Sequence, residues 1–475
     1  MTYHRADQTF GGKVAFDGGI TRLDYPGRSS TPGGTEAERV LGIEMQYNIV
    51  LAVSVTGLDD DPARPARIVR GDYSANPFRT VQGAIDALPF RLCYGKASTA
   101  QALINIGPGS FQGFYVEGLS ASLGLRIVGT RQASVPATGT DSGTATSGAT
   151  RTLVDTTQTW TPDDLASRYL TITSGPGAGQ TLVIATNTAD TIRFADPCTP
   201  LPAAGSVYQI EDLATVINGP PYRMSAELGA YAAVFFLRNA GLVEIDDLSL
   251  WSGVTFGYLG TGNAKVAIRR CRSLYSSYGF VEQDSQAVSW RQLDVLGHGI
   301  GIGLYNVANI FNSDRGWSMR NCTFGADVQG CGGNAFYGVY AQNCTYRGLR
   351  VLACNLGGLT FFNFRAEACG TAFEAQTSTV GLKSAIINNS TVGCFNLFMA
   401  NLYIEQLLSG TGNAGWGLYA KGSGNLVQIT GFVPTITGAS GQVTVDGVTD
   451  HGWIGLTTVG SYALDNATGA RVNRQ

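Results

Sequence analysis

The chain has 475 residues, 32 Lys and Arg against 35 Asp and Glu, and a formal charge of −3. Only 14% of it is charged, against the roughly one quarter that soluble domains carry, and its 63 glycines are near twice the usual ~7% share. That composition excludes coiled coils and charged helical bundles, and near-neutral charge gives no electrostatic case for nucleic acid as a partner.

At the start, Met1 to Gly12 lacks a basic stretch leading into an apolar one, so no secretory signal is read and cytoplasmic synthesis is expected. No apolar run approaches the ~18 residues of a membrane span, so no membrane insertion is expected. Nine cysteines lie outside paired CxxC spacing, which reads as buried thiols in a reducing compartment. Residues 1–72 are irregular, and Asp59-Asp60-Asp61-Pro62 reads as a solvated acidic loop. From Asn76 a helix is predicted, because Phe78, Val81, Ala84, Ile85 and Leu88 recur at helical spacing before Pro89. Short strands follow at Ala102–Ile106 and Leu125–Val128, closing a segment that spans 73–136.

Near Ala137 the composition turns Thr-rich, and strand-turn-strand alternation over 137–212 predicts a small inserted β domain. From 213 to 430 short alternating segments repeat. Aligned on Leu248, Cys271, Leu293, Cys322 and Cys344, they are 23, 22, 29 and 22 residues apart. A period near 22 is a solenoid signature, because units this short bury a core only by stacking. Residues 431–475 are Gly/Thr/Val-rich strands, assigned to capping of the open end or trimerisation.

The segment Asn76-Pro-Phe-Arg-Thr-Val-Gln-Gly-Ala-Ile-Asp-Ala-Leu and the coils ending Arg-Asn-Cys resemble the tailspikes and fibres of phages and phage-like particles, with their right-handed parallel β-helix. The resemblance covers roughly 73–430. It implies an all-β solenoid with an inserted domain, a homotrimer, attachment to other virion proteins through residues 1–72, and bacterial surface polysaccharide as the ligand. It also implies location in a virion assembled from protein made in the bacterial cytoplasm. The fold specifies function poorly, since enzymes and adhesins share it.

Stacking turns each repeat position into a column. Leu248, Cys271, Leu293, Cys322 and Cys344 are expected in the core, and Asp247, Arg270, Gln292, Asn321 and Asn343 at a bend. Asp246, Arg269, Arg291, Arg320 and Gln342 are expected to point outward, with the arginines as an anion-binding strip for an acidic glycan. Trp251 and Tyr275 join Arg269, Arg291 and Arg320 as glycan-binding candidates. For hydrolysis, Glu244 and Asp246 are the candidate carboxylate pair, two residues or ~6.6 Å apart along one strand. Three histidines, His4, His298 and His451, are too few to favour histidine-based catalysis or zinc. No metal or cofactor is called for. The leading reading is a host-attachment spike. A depolymerase of the same fold and a non-catalytic virion adaptor are the alternatives.

Overall fold

The computed structural model describes residues 49–63, 71–88, 102–118, 124–166, 168–194, 197–219, 232–251, 255–310, 316–332, 334–354 and 358–405, and short stretches from there to 474. The predicted attachment segment up to 48 lies outside them.

Short parallel strands wind into a three-faced solenoid of about 13 turns. One coil shows the rule. Lys265–Arg269 lies in the first face, Arg272–Leu274 in the second and Tyr278–Gln283 in the third. Ala287–Arg291 then re-enters the first face one strand further on, so that Val266 pairs with Val288, Arg272 with Asp294 and Tyr278 with Ile300. The third face is a single sheet of twelve strands and the second a sheet of ten. The first face is split into sheets of eight and seven, where Asn309–Ile310 shortens to two residues.

The chain turns its corners through single residues with positive φ: Arg270, Tyr275 and Asp284 in that coil, then Gln292, Gly297 and Asn306 in the next. This conformation costs most L-residues ~1–2 kcal/mol, which is why Asn, Asp and Gly are frequent at the corners. The residue after a corner turns inward and stacks on its equivalent one coil away. At one corner this column runs Ser276, His298, Cys322, Cys344, Cys369, all buried. His298 accepts from the Ser276 N–H and has Nε2 2.9 Å from the Ser273 carbonyl oxygen, and burial pushes its pKa down, so it is a neutral core residue. All eight described cysteines are buried and pack as small apolar groups, and burial raises the Cys394 thiol to about 12. Large rings fill the interior, with Trp290 and Trp317 meeting edge to face at 6.4 Å.

Several expectations change. The helix spans Val81–Ala87 with Thr80 as its N-cap, while Asn76–Phe78 belongs to the strand Gly71–Phe78. Val81, Ala84 and Leu88 are buried as the periodicity required. Asp59 is no idle acidic loop residue, for it accepts from the Arg79 and Thr80 backbone N–H groups at the head of that helix. Ile49–Val53 already pairs in the first face, inside the segment assigned to attachment. At the other end, Gly441–Asp446 and Arg471–Arg474 continue the parallel pairing, so the solenoid extends past 430. Among the described residues no helix is long and apolar enough to cross a membrane.

The repeat alignment mixed two corners. Leu248, Cys271 and Leu293 follow first-face strands, whereas Cys322 and Cys344 follow the second-face strands Trp317–Arg320 and Val339–Gln342. Leu293 pairs with Trp317, 24 residues on, and Arg320 pairs with Leu296 and Gln342 rather than continuing from Arg291. Both corners carry the same pattern, a strand, one left-handed residue and a small buried side chain, so the sequence repeat looked continuous. All five bend positions do have positive φ.

The Thr-rich insertion is a β domain of antiparallel pairs running from Arg131–Ala133 to Val207–Leu213. Trp160, Leu170, Ile184, Phe194 and Tyr208 form its core. It sits on the outer surface of the second face, where its Tyr169, Val183, Ala185 and Leu213 pack against Tyr340 of the solenoid.

Candidate functional site

The expected outward column lies under cover. Glu244 and Asp246 do sit on one strand side, but Asp246 is completely buried beneath guanidinium groups. Arg126 and Arg269 pair with Asp246 at 2.9 Å each and Arg270 at 3.2 Å, while Arg269 also pairs with Glu244. Asp247 takes Arg270 at 2.8 Å and Arg131 at 3.3 Å. Arg131 in turn reaches Glu211 of the inserted domain at 2.7 Å. Each carboxylate in this set is paired with at least one guanidinium group, and Asp246 has no exposed surface to offer a substrate.

Arg320 belongs to the seam with the inserted domain. Its Nη1 donates to the Ala185 carbonyl at 3.1 Å and its Nη2 to Asp294 at 3.0 Å. Arg272 donates to Asp212 at 2.9 Å, and Gln292 donates to the Thr181 carbonyl. Arg291 is half-buried on the first face, with a buried Nε that has no hydrogen-bond partner. Trp251 and Tyr275 are exposed, at 47% and 64%. Tyr275 lies over Gly297, where any Cβ would collide with the ring. Two of the five glycan candidates are therefore open rings, and the three arginines have three different surroundings.

The third face carries an outer surface the sequence reading did not assemble. Asp327, Arg350 and Glu374 are consecutive in one outward column, and Phe324 and Arg347 are consecutive in the next. Arg350 grips Asp327 through two hydrogen bonds of 2.8 and 2.7 Å, and this pairing raises the Arg350 pKa. Tyr305 and Gln329 also donate to Asp327, at 3.2 and 2.7 Å. Arg347 and Asn396 each donate to Glu374 at 2.7 Å. The Arg347 guanidinium stands 3.9 Å from the Tyr346 ring centre, and Arg350 stands 4.8 Å from that of Phe324. Tyr346 and Phe324 meet edge to face at 5.1 Å, and half of Tyr346 is exposed. Towards the N-terminal end the surface is apolar, with Phe236, Leu259 and Val281 beneath the stacked rings of Phe256 and Tyr278. The missed signal was a 23- and 24-residue spacing of opposite charges, Asp327 to Arg350 to Glu374.

One fully buried acid has no cation. Glu282 points into the interior, where burial raises its pKa to about 7 despite hydrogen bonds from Ser285, Asn263 and Tyr258. Of the ten described carboxylates between 232 and 405, Glu282 and Asp284 are the two without an ion pair. Asp284 accepts from Asn306 at a corner. Among the described residues no group of three His, Cys, Asp or Glu is placed to hold a metal ion.

The chain is a parallel β-solenoid. No protein-family model matches it, and no curated protein does. Solved structures similar to it include the tailspike gp49 from Pseudomonas phage LKA1, at 13% identity over 78% of this chain and 74% of that one, TM-score 0.21. Another is the Gp54 tailspike of Acinetobacter baumannii bacteriophage AP22 in complex with A. baumannii capsular saccharide, at 9% identity, 78% and 74% coverage and TM-score 0.23. A third is a glycoside hydrolase at 8% identity, covering 85% of this chain and 97% of that one, TM-score 0.24. Likeness this weak carries nothing about activity, and the solenoid rests on the strand pairing itself.

Proposed function

We propose that the chain is a spike or fibre component of a phage or phage-like particle that binds bacterial surface polysaccharide without cutting it. The observation behind this reading is the third-face surface of Phe324, Tyr346, Arg347, Arg350, Asp327 and Glu374. Rings with open faces take the C–H side of a sugar, and fixed polar groups beside them take its hydroxyls. A solenoid supports such a surface well, because its stacked strands hold side chains of successive coils at the ~4.8 Å strand spacing on a rigid scaffold. Binding is favoured over hydrolysis because cleavage by two carboxylates needs one of them protonated, and Asp327 and Glu374 on this surface are each held by a guanidinium group. Attachment to the particle through residues 1–72 and assembly as a homotrimer complete the proposal.

The test is incubation of the purified protein with polysaccharide from candidate host cells, following both retention and glycan chain length over hours. The expected result is retention without shortening, weakened in Tyr346→Ala. Shortening of the glycan would replace this reading with a depolymerase. No retention on any host glycan would leave the virion adaptor.

A further inference from the structure

We infer that the polysaccharide taken by the third face is uncharged, an inference that rests on the glycan-binding reading above. Every cation on that surface is already cancelled in place. Arg350 is held two-handed by Asp327, and Arg347 is held by Glu374. Two guanidinium groups against two carboxylates leave the strip with no net charge. An acidic sugar would have to displace a carboxylate that the fold fixes, and would then face that carboxylate's own repulsion.

A neutral sugar has no such conflict. Both Arg350 bonds to Asp327 use Nε and Nη2, which leaves donors of the five-donor guanidinium for hydroxyl oxygens. Asn396 and Gln329, beside the pairs, add amide donors and acceptors. The Tyr346 ring, half exposed and fixed by Phe324 and Arg347, supplies the stacking surface. An acidic glycan would be drawn elsewhere, to Arg291 on the first face. That residue has a buried Nε without a hydrogen-bond partner and no ion pair among the described residues.

The experiment is a retention assay on host-derived capsular polysaccharides of matched length, some neutral and some bearing uronate or sialate, from ~50 to ~500 mM salt. The expected result is retention of neutral glycans that changes by less than about twofold over that range and falls at least about tenfold in Tyr346→Ala. Arg291→Gln is expected to leave it unchanged. Retention confined to acidic glycans, steeply weakened by salt and lost in Arg291→Gln, would overturn the inference while leaving glycan binding intact. Equal retention of both classes would also overturn it. If no glycan of either class is retained, the proposed function itself fails.

Discussion

The second and third faces of the solenoid use nearly the same chemistry and reach opposite ends. On the second face, Arg272 and Asp294 alternate in charge along one column that runs on through Ser318 to the ring of Tyr340, and Arg320 reaches Asp294 from a neighbouring column. On the third face, Asp327, Arg350 and Glu374 alternate in the same way beside Phe324 and Tyr346. The difference is the cover. The inserted domain lies on the second face, and its backbone carbonyls at Thr181 and Ala185 and its Asp212 complete the bonding there. Around Tyr346 the third face keeps its rings and guanidinium edges partly open. Alternating charge on a solenoid is therefore not by itself a ligand site. On the second face it is an internal joint because another part of the chain lands on it, and on the third face it stays partly open.

The largest expected effect tests the joint. Asp294→Ala leaves Arg320 buried without its carboxylate, which costs about 3–5 kcal/mol, read as a drop in the unfolding midpoint. Faster proteolytic release of the inserted domain would accompany it if the pair holds the seam. An unchanged midpoint would mean that the second face is no more a joint than the third.

The interior gives the next effect, because Glu282 is a fully buried acid with no cation beside it. Its folded pKa of about 7 lies above the unfolded value near 4.5, so the native state keeps the proton longer. Stability is then full below about pH 4.5, falls as pH rises through about 7, and levels off beyond. The loss is on the order of 3 kcal/mol at most. Tyr258 is the one titratable group bonded to it, and Asn263 and Ser285 are neutral. Glu282→Gln is expected to flatten this slope and raise the midpoint at pH 8. A slope identical to that of the parent protein would mean the carboxyl ionises freely inside.

On the third face the same kind of substitution should separate binding from stability. Arg350→Ala removes charge-assisted bonds to Asp327 in a partly exposed place, so a loss of about 1.5–3 kcal/mol is expected, smaller than at Asp294. Glycan retention should fall with it, whereas Asp294→Ala should leave retention intact in the folded fraction. The smallest effect is at the outermost rings. Trp251→Ala and Tyr275→Ala should change stability by no more than about 0.5 kcal/mol, and a change in retention there would extend the binding strip around the corner.

Much of the fold was legible because its determinants are local. The alternating segments Val266–Arg269, Val288–Arg291, Trp317–Arg320 and Val339–Gln342 are strands as read, and the bend positions Asp247, Arg270, Gln292, Asn321 and Asn343 are bends. The register between coils was less legible, since two corners share one pattern and the jump between them passes for an insertion. That slip put Arg320 in the wrong column and merged three arginines with different surroundings into one strip. The Asp327, Arg350 and Glu374 column was invisible for the same reason, as it exists only once the third-face strands are stacked.

The sequence by itself determined that these residues form short stacked strands around an apolar core, because alternation and corner chemistry act within a few residues. It also set the identity of the inserted segment as a β unit through its Thr-rich alternation. Only the tertiary structure decided which charges meet. Arg350, Arg347 and Arg320 are each held by a carboxylate on a neighbouring coil, more than 20 residues distant in the chain. Pairing at that range depends on coil register and on where the inserted domain lands, and neither is written in any local stretch of sequence.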